Sequence, residues 1–594
     1  MTTKEGKNFF APHEGAVLRC YPDGSGFEIF ARGLRNPQEI AFDKYGNLFS
    51  VDNDSDQKGE RERFLHITEG SDTGWRCYYQ YRGSDYNPWM AESIWETEGE
   101  FQPAYITPTS ANYSDGPAGF AYNPGTALNG KYADAFFVTE FPKGNLRSFK
   151  VKPKGASFEI ADEHTVYSGP MNVGISFGSD GALYSADWSG GYPLNEKGAI
   201  WKLDDPKEAG SAIRKEVAKF LKEGTSEVST GILLKRLSHP DMRIRLDAQW
   251  ELAERKATAE LHQVVTSPKS DQLAKIHAIW ALSQHGQFFE KAFHNLVTSE
   301  DPELRAQAAR HAGETLKGSD VLLTKMLADE NARVRFHAAT AIWKAGDSTA
   351  IDAIIAMLAE NGNRDAYLRH AGVLALTASS ADDIAAKALT HESPAVRLAA
   401  AVAFRRVSSP LAAKLLSDTD PKVVAEAAHA IYDDPAITAA YPALADLIRT
   451  NPDAMAPAIR RSIAANRYLA DNESAGRLAA YAANEGAPQD LRIAALEALA
   501  SWTEASELNP VDGRYDPLKP ADAEIAKAAF DPYAAALQHD SEKAIAGKAA
   551  AVAKNLGIVA SSKDLAKEAF DAKADPEARI RSLDALQSAD PEYF

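Results

Sequence analysis

The sequence predicts a multidomain chain, an all-β segment of repeating hairpins followed by an all-α solenoid, on three observations. A thirteen-residue segment recurs without a gap inside the first 205 residues, at 40–52 and 175–187. Beyond Pro206 the chain turns alanine-rich, with apolar residues at helical spacing. There, basic residues stand 30 positions apart at Arg245, Lys275, Arg305 and Arg335. A fixed period of this kind is the mark of a repeat array.

The recurring segment runs from Ile40 to Asp52 and again from Ile175 to Asp187. Each copy has a short apolar run, a turn holding Gly46 or Gly181, and a second apolar run ending in Asp, which is a β-hairpin by pattern and turn chemistry. A looser third copy joins Phe120–Asn123 to Ala135–Glu140. Intervening strands at 16–21, 146–151 and 157–160 suggest four-stranded blades of a β-propeller. About three blades are visible where closure needs four to eight, and an open fan leaves unpaired strand edges. The expectation is a partial propeller over 13–205, after a polar segment at 1–12, with its remaining blades on a longer gene product or on a second chain. An aromatic-rich insertion occupies about 75–115 (Trp75, Tyr78, Tyr79, Tyr81, Trp89, Trp95). It reads either as a roof that stacks on sugar rings or as a loop burying its own aromatics.

The boundary falls near Asp204-Asp205-Pro206, with a helix beginning near Ile213. Further repeat copies open at Arg369, Arg397, Arg492 and Arg579, and many follow a turn such as His239-Pro240, Asp301-Pro302, Asp420-Pro421 or Asp575-Pro576. A turn proline starts a helix at no hydrogen-bond cost, because the first-turn N–H is unpaired anyway. The array resembles HEAT repeats, roughly ten copies over 206–594 by the usual period of helix-pair arrays. Glu504–Ala521, which carries Pro510, Pro517 and Pro520, reads as an inter-repeat loop. His277, His311, His337, His370 and His429 come about one per repeat and read as packing or surface residues, since metal ligands would cluster.

Composition excludes several classes. With 83 acidic against 65 basic residues the formal charge is −18, so neither nucleic acid nor an anionic membrane surface is an expected partner. There is no apolar run long enough for a membrane span and no signal peptide at 1–7. Cys20 and Cys77 form either one disulfide or two buried thiols. There is no Gly-x-Ser-x-Gly elbow, and His66 and His164 lie in strand-like surroundings, which argues against a serine hydrolase.

The most informative stretch is Gly33-Leu34-Arg35-Asn36-Pro37-Gln38-Glu39-Ile40. It sets Arg35 and Asn36 just before a blade's inner strand, where side chains converge on a central channel. Arg offers a planar fork suited to carboxylates, and Asn both donates and accepts. With Val17–Gly24 upstream and Gly70–Trp75 downstream, this resembles the soluble quinoprotein glucose/sorbosone dehydrogenase family. Fusion to HEAT-like repeats is similar to dehydrogenase-like proteins of planctomycetes and verrucomicrobia. The resemblance implies a six-bladed ring, pyrroloquinoline quinone (PQQ) and calcium as cofactors, oxidation of sugar CH–OH or aldehyde groups, and an extracytoplasmic location.

Carried over, Arg35 and Asn36 match the quinone-contacting pair, while Asn53, Asp54, Glu62 and Asp72 fall in the calcium-binding region. The alternatives are a turn-capping pair and an acidic loop without an ion. The sequence departs from the family in two site features. The catalytic His is missing, for His13 abuts an outer strand and leaves the catalytic residue unassigned. Gly169–Gly174 carries no Arg-x-Arg pair. The haem domain of some relatives is also absent. Two functions follow: a quinone-dependent sugar dehydrogenase-like protein with an incomplete propeller, or a non-catalytic scaffold. The scaffold would bind glycan or protein through the propeller face, with a protein partner on the concave face of the solenoid.

Overall fold

The computed structural model describes residues 2–589 apart from 4, 10, 192, 194, 287–289, 559–561 and 575, so Asp575 of the last predicted turn lies outside the described residues. The chain forms two compact units, Met1–Leu411 and Ala412–Phe594. The first holds a β-rich region and the start of the helical array.

The β-rich region contains four sheets, none closed into a barrel among the described residues. The first comprises β1 (Gly15–Arg19), β2 (Glu28–Leu34) and, later in the chain, β6 (Ser71–Asp72). The second orders β3 (Pro37–Phe42), β4 (Leu48–Asp52), β5 (Arg63–Ile67) and β7 (Ala111–Asn112). The third runs β8 (Pro117–Tyr122), β9 (Phe136–Glu140), β10 (Asn145–Lys154), β11 (Ser157–Ser168). The fourth is β12 (Asn172–Phe177), β13 (Leu183–Asp187) and β14 (Ala199–Leu203). The sequence pattern predicts three repeating hairpins; the additional sheet arises because β1 and β2 pair with each other and not with a neighbouring hairpin.

The two matched hairpins share one register. Phe42 faces Leu48 and Ile40 faces Ser50; Phe177 faces Leu183 and Ile175 faces Ser185. Strand alternation then ties the sheets together. On β9, Phe136 points into a cluster with Phe49, Phe64, Phe120 and Phe149, while its neighbour Phe137 points the other way, toward Leu146, Ile175 and Leu183. In the insertion, Trp75, Tyr78, Tyr79, Trp89 and Trp95 are buried and only Tyr81 stands out at 83% exposure, so the loop buries its own aromatics. A short helix α1 (Pro88–Ala91) sits within it. Both cysteines are free and exposed, which corrects the expectation of a disulfide or two buried thiols.

The helices of the first unit alternate between two layers. The outer layer holds α3 (Thr230–Arg236), α5 (Thr258–Thr266), α7 (Glu290–Val297), α9 (Val321–Lys325), α11 (Ile351–Asn361) and α13 (Ala381–Ala388). The inner layer stacks α2 (Ala212–Glu223), α4 (Met242–Glu254), α6 (Gln272–Ser283), α8 (Pro302–Thr315), α10 (Ala332–Ala345), α12 (Ala366–Leu376) and α14 (Pro394–Arg406). Asp241, Asp271, Asp301 and Asn331 cap four successive inner helices, accepting from first-turn N–H groups. Three of the repeat arginines staple the turn just before their helix. Arg245 donates to the carbonyls of His239 and Pro240, Arg305 to Ser299 and Glu300, Arg397 to His391 and Glu392.

The inner layer does not face open solvent. It grips the turns of the sheets. Gln307 Nε2 donates to Tyr45 O at 3.0 Å, Arg310 Nη1 to Gly46 O at 3.2 Å and Arg333 Nη1 to Asn47 Oδ1 at 3.1 Å. Tyr367 Oη donates to the carbonyls of His66 and Pro108, His370 Nε2 meets Glu69 O, and Arg406 donates to Gly70 O at 2.8 Å. Met242 N donates to Pro124 O, and Arg243 to Gly178 O. Within this unit, the inner face expected to hold a protein partner is occupied by the chain's own β-rich region.

The second unit is helical as well, with α15 (Pro421–Tyr432), α16 (Tyr441–Thr450), α17 (Ala456–Leu469), α18 (Asn472–Ala482) and α19 (Gln489–Ala500). The segment expected to be a plain loop contains a small hairpin, β15 (Ser506–Leu508) with β16 (Tyr515–Leu518). It is anchored by Asn509 Nδ2 donating to Tyr432 Oη and by Arg514 donating to Tyr432 O, polar contacts that a proline-rich sequence does not advertise. Four further helices follow: α20 (Ala523–Gln538), α21 (Lys543–Asn555), α22 (Ser562–Ala569) and α23 (Pro576–Ala589).

Two predictions follow from the first unit. Gly46 has φ +75°, and a Cβ there would lie 2.7 Å from Arg310 Nη1 and 3.1 Å from Trp280. Gly24 has φ +81° with open space around it. Gly24→Ala therefore bears only the left-handed backbone term of about 1–2 kcal/mol, whereas Gly46→Ala is expected to cost more, measured by urea unfolding. Burial, joined by nearby arginines, pushes the imidazoles of His66, His277 and His370 down to about 3; burial brings His311 down to about 4. These folded-state values lie below the unfolded value near 6.5, so the unfolded chain takes up the protons. Their stabilisation is complete above pH 6.5 and is lost as pH falls toward 3–4. His370→Gln is expected to flatten the stability–pH slope between pH 6 and 4 by up to about 1.4 kcal/mol per pH unit.

Candidate functional site

The predicted site lies where β2 passes into β3. At the end of β4, the Asp52 carboxylate accepts from Arg35 N at 3.0 Å (Oδ2) and Asn36 N at 2.6 Å (Oδ1). Arg63, on the neighbouring β5, donates to the same carboxylate at 2.5 Å. Both members of this ion pair are buried, and the Arg63 guanidinium lies 4.7 Å from the centre of the Trp89 ring. The clamp holds the backbone of the Arg35-Asn36 turn and leaves its side chains alone. Among the described residues no hydrogen bond or ion pair involves the Arg35 guanidinium or the Asn36 amide. Arg35 is half-buried and Asn36 exposed.

The metal candidates sort into two places. Asn53 Nδ2 donates to Asn36 O at 3.2 Å and Pro117 O at 3.1 Å, bridging the starts of β3 and β8. Glu62 Oε1 accepts from Gly116 N at 2.7 Å, fixing the turn into β8. Asp54 stands near Glu62 and Glu60, and burial together with those two carboxylates pushes its own carboxyl up to about 6. Glu60 is already committed, accepting from Ser55 N, Ser55 Oγ and Trp89 Nε1. Asp72 belongs elsewhere, on β6, paired with Arg76 at 2.6 Å and accepting from Gly74 N. Burial opposes its charge, but Arg76 holds it well below the usual carboxylate range.

These residues do not fit the cofactor pair that the resemblance implies. Calcium takes six to eight oxygen ligands. Here two carboxylates and one amide share the loop, and one oxygen of Glu62 is already used. Among the described residues no three His, Cys, Asp or Glu side chains group as a metal site. Three quinone carboxylates need several cations, but Arg147 is paired with Glu140 and Glu163, and Lys143 with Asp115. Of these three cations, Arg35 alone is uncommitted.

Sequence reasoning missed Arg63, the part Asp52 plays in positioning the turn, and Glu39, whose Oε2 accepts from Phe120 N across to the next inner strand. The terminal Asp of the repeated segment was the signal for Asp52. His13 contributes its backbone carbonyl, which accepts from Cys77 N, and sets its ring edge-on to Tyr78.

A HEAT-repeats family model matches residues 289–377. No curated protein matches. Among solved structures, a protein of Thermus thermophilus described as an oxidoreductase (glucose dehydrogenase) is 17% identical, covering 30% of this chain and 47% of its own, with a TM-score of 0.23. A Kap121p mutant is 11% identical, covering 64% of this chain and 46% of its own, with a TM-score of 0.36. An engineered protein is 19% identical, covering 55% and 98%, with a TM-score of 0.24. The chain thus spans less than half the length of the first two.

Asp52→Asn leaves Arg63 buried without its anion, and such breaks cost about 3–5 kcal/mol. Asn36→Ala, on an exposed side chain, is expected to stay within about 0.5 kcal/mol of the parent. Equal losses in chemical unfolding of the two variants would refute the clamp.

Proposed function

We propose that this chain is a binding scaffold built on propeller-type sheets of the sugar-dehydrogenase kind, which holds a carboxylate-bearing ligand, such as an acidic glycan, at Arg35 and Asn36. The observation that carries this reading is the clamped turn with free side chains. Asp52 and Arg63 fix the backbone, so a ligand meets a guanidinium and an amide carried on an already ordered turn and little backbone freedom is lost on binding. A single uncommitted cation suits one carboxylate. A protein partner, if one uses the solenoid, falls to the helices of the second unit, since in the first the inner layer holds the sheets.

The quinone-dependent dehydrogenase reading keeps the Arg35-Asn36 motif in its favour and needs further cations and a base supplied from outside this chain. Calorimetric titration with a uronic-acid oligosaccharide and its neutral counterpart separates the readings. The acidic ligand is expected to bind, and Arg35→Ala to weaken it at least tenfold. The full chain supplied with PQQ and calcium is expected to leave an artificial electron acceptor unreduced across a panel of aldoses. Sustained dye reduction would overturn the scaffold reading.

A further inference from the structure

The seam between the sheets and the inner helices holds a cavity of about 90 Å³ that opens to solvent. It lies beside β5, α8 and α10, distinct from the Arg35-Asn36 turn. Its walls carry an unusual surplus of donors. Thr68 is 5% exposed, and its Oγ1 is buried with no hydrogen-bond partner. Arg310 donates through Nη1 to the carbonyls of Tyr45 and Gly46, and among the described residues its Nε and Nη2 have no acceptor. Among those residues no carboxylate lies within ion-pair distance of it. His337 lines the same cavity, and its imidazole makes no hydrogen bond among the described residues.

The acidic groups on the wall are already matched. Glu69 takes Lys344 at 3.0 Å and Arg19 at 3.0 Å, and Glu314 takes Lys344 at 2.7 Å. Arg19 also pairs with Glu28, outside the cavity. Burial, with Arg333, Arg310 and His66 nearby, holds His337 well below its usual range, so its ring is neutral and keeps one N–H to donate. The free N–H groups of a guanidinium, with a hydroxyl and an imidazole N–H that have no acceptor among the described residues, can together donate to oxygen lone pairs.

We infer that this seam cavity binds a small oxyanion, a carboxylate or phosphate group, through Arg310, Thr68 and His337. A cavity of this size admits acetate or phosphate. A ligand here contacts the sheets through Thr68 and the solenoid through Arg310 and His337. It would therefore stabilise the docking of the two parts.

The test is thermal unfolding of the full chain with inorganic phosphate or acetate titrated against chloride at constant ionic strength. At least one anion is expected to raise the Tm along a saturating curve, and which one does identifies the source of the oxyanion. Thr68→Val and Arg310→Gln are each expected to shift the half-saturating concentration at least tenfold. Thr68→Val removes only a hydroxyl, so it decides the matter even where Arg310→Gln fails to fold. A Tm that climbs without saturation, or a curve unchanged in Thr68→Val, overturns the proposal and leaves the cavity to water.

Discussion

Everything in the first unit depends on the carbonyl groups at the sheet turns. A β-hairpin turn exposes backbone acceptors that water ordinarily satisfies. Here several of them accept instead from the inner helices: Tyr45, Gly46, Glu69, Gly70, Pro124 and Gly178. Half of these donors are arginines, whose planar forks reach past the helix surface and whose charge makes each bond stronger than a neutral one. Close approach requires small residues at the turns. Gly46 meets Arg310 and Trp280, and its counterpart Gly181 in the second copy of the hairpin meets Arg214. The same hairpin, used twice, presents the same glycine to two different places on one array.

That seam bears on the open edges of the β-rich region. Among the described strands, β1 and β14 each pair on one side only, and Ile200 and Trp201 on β14 are 72% and 50% exposed. Sheets left unclosed are prone to edge pairing. Bracing from the helices fixes the relative positions of the sheets without ring closure, because inner helices hold the turns through charged hydrogen bonds. Burial of the phenylalanine clusters between sheets supplies the remaining cohesion, with Phe136 and Phe137 on opposite faces of one strand joining two interfaces.

The hairpins were legible because turn chemistry and alternation are local, and the array because a capping Asp or Asn and a basic residue recur every 30 residues through its first inner helices. The seam was not. Arg310, Tyr367 and His370 sit on helices at positions where periodicity cannot distinguish a packing residue from one that reaches another part of the chain. Asp72 illustrates the same limit at the site. It falls within the stretch resembling a calcium region, yet Arg76 four residues on captures its carboxylate. Local spacing said nothing of that pairing, since the residues lie beyond any regular helix. The role of Asp52 depended on β4 pairing with both β3 and β5, a long-range register that only the fold provides.

The clamp also bears on what kind of site Arg35 can be. A surface arginine on a mobile loop loses backbone and side-chain freedom when it binds, which offsets much of a single ion pair. Here Asp52 has already ordered the backbone, and its buried carboxylate is matched by Arg63 and two N–H donors. The buried pair therefore serves presentation more than stability, in line with the small net contribution of such pairs. One presented cation discriminates ligands by a single negative group and leaves the rest of the molecule unread. Recognition beyond that carboxylate then has to come from the neighbouring start of β8, where Asn53 and Glu39 already cross from one inner strand to the next.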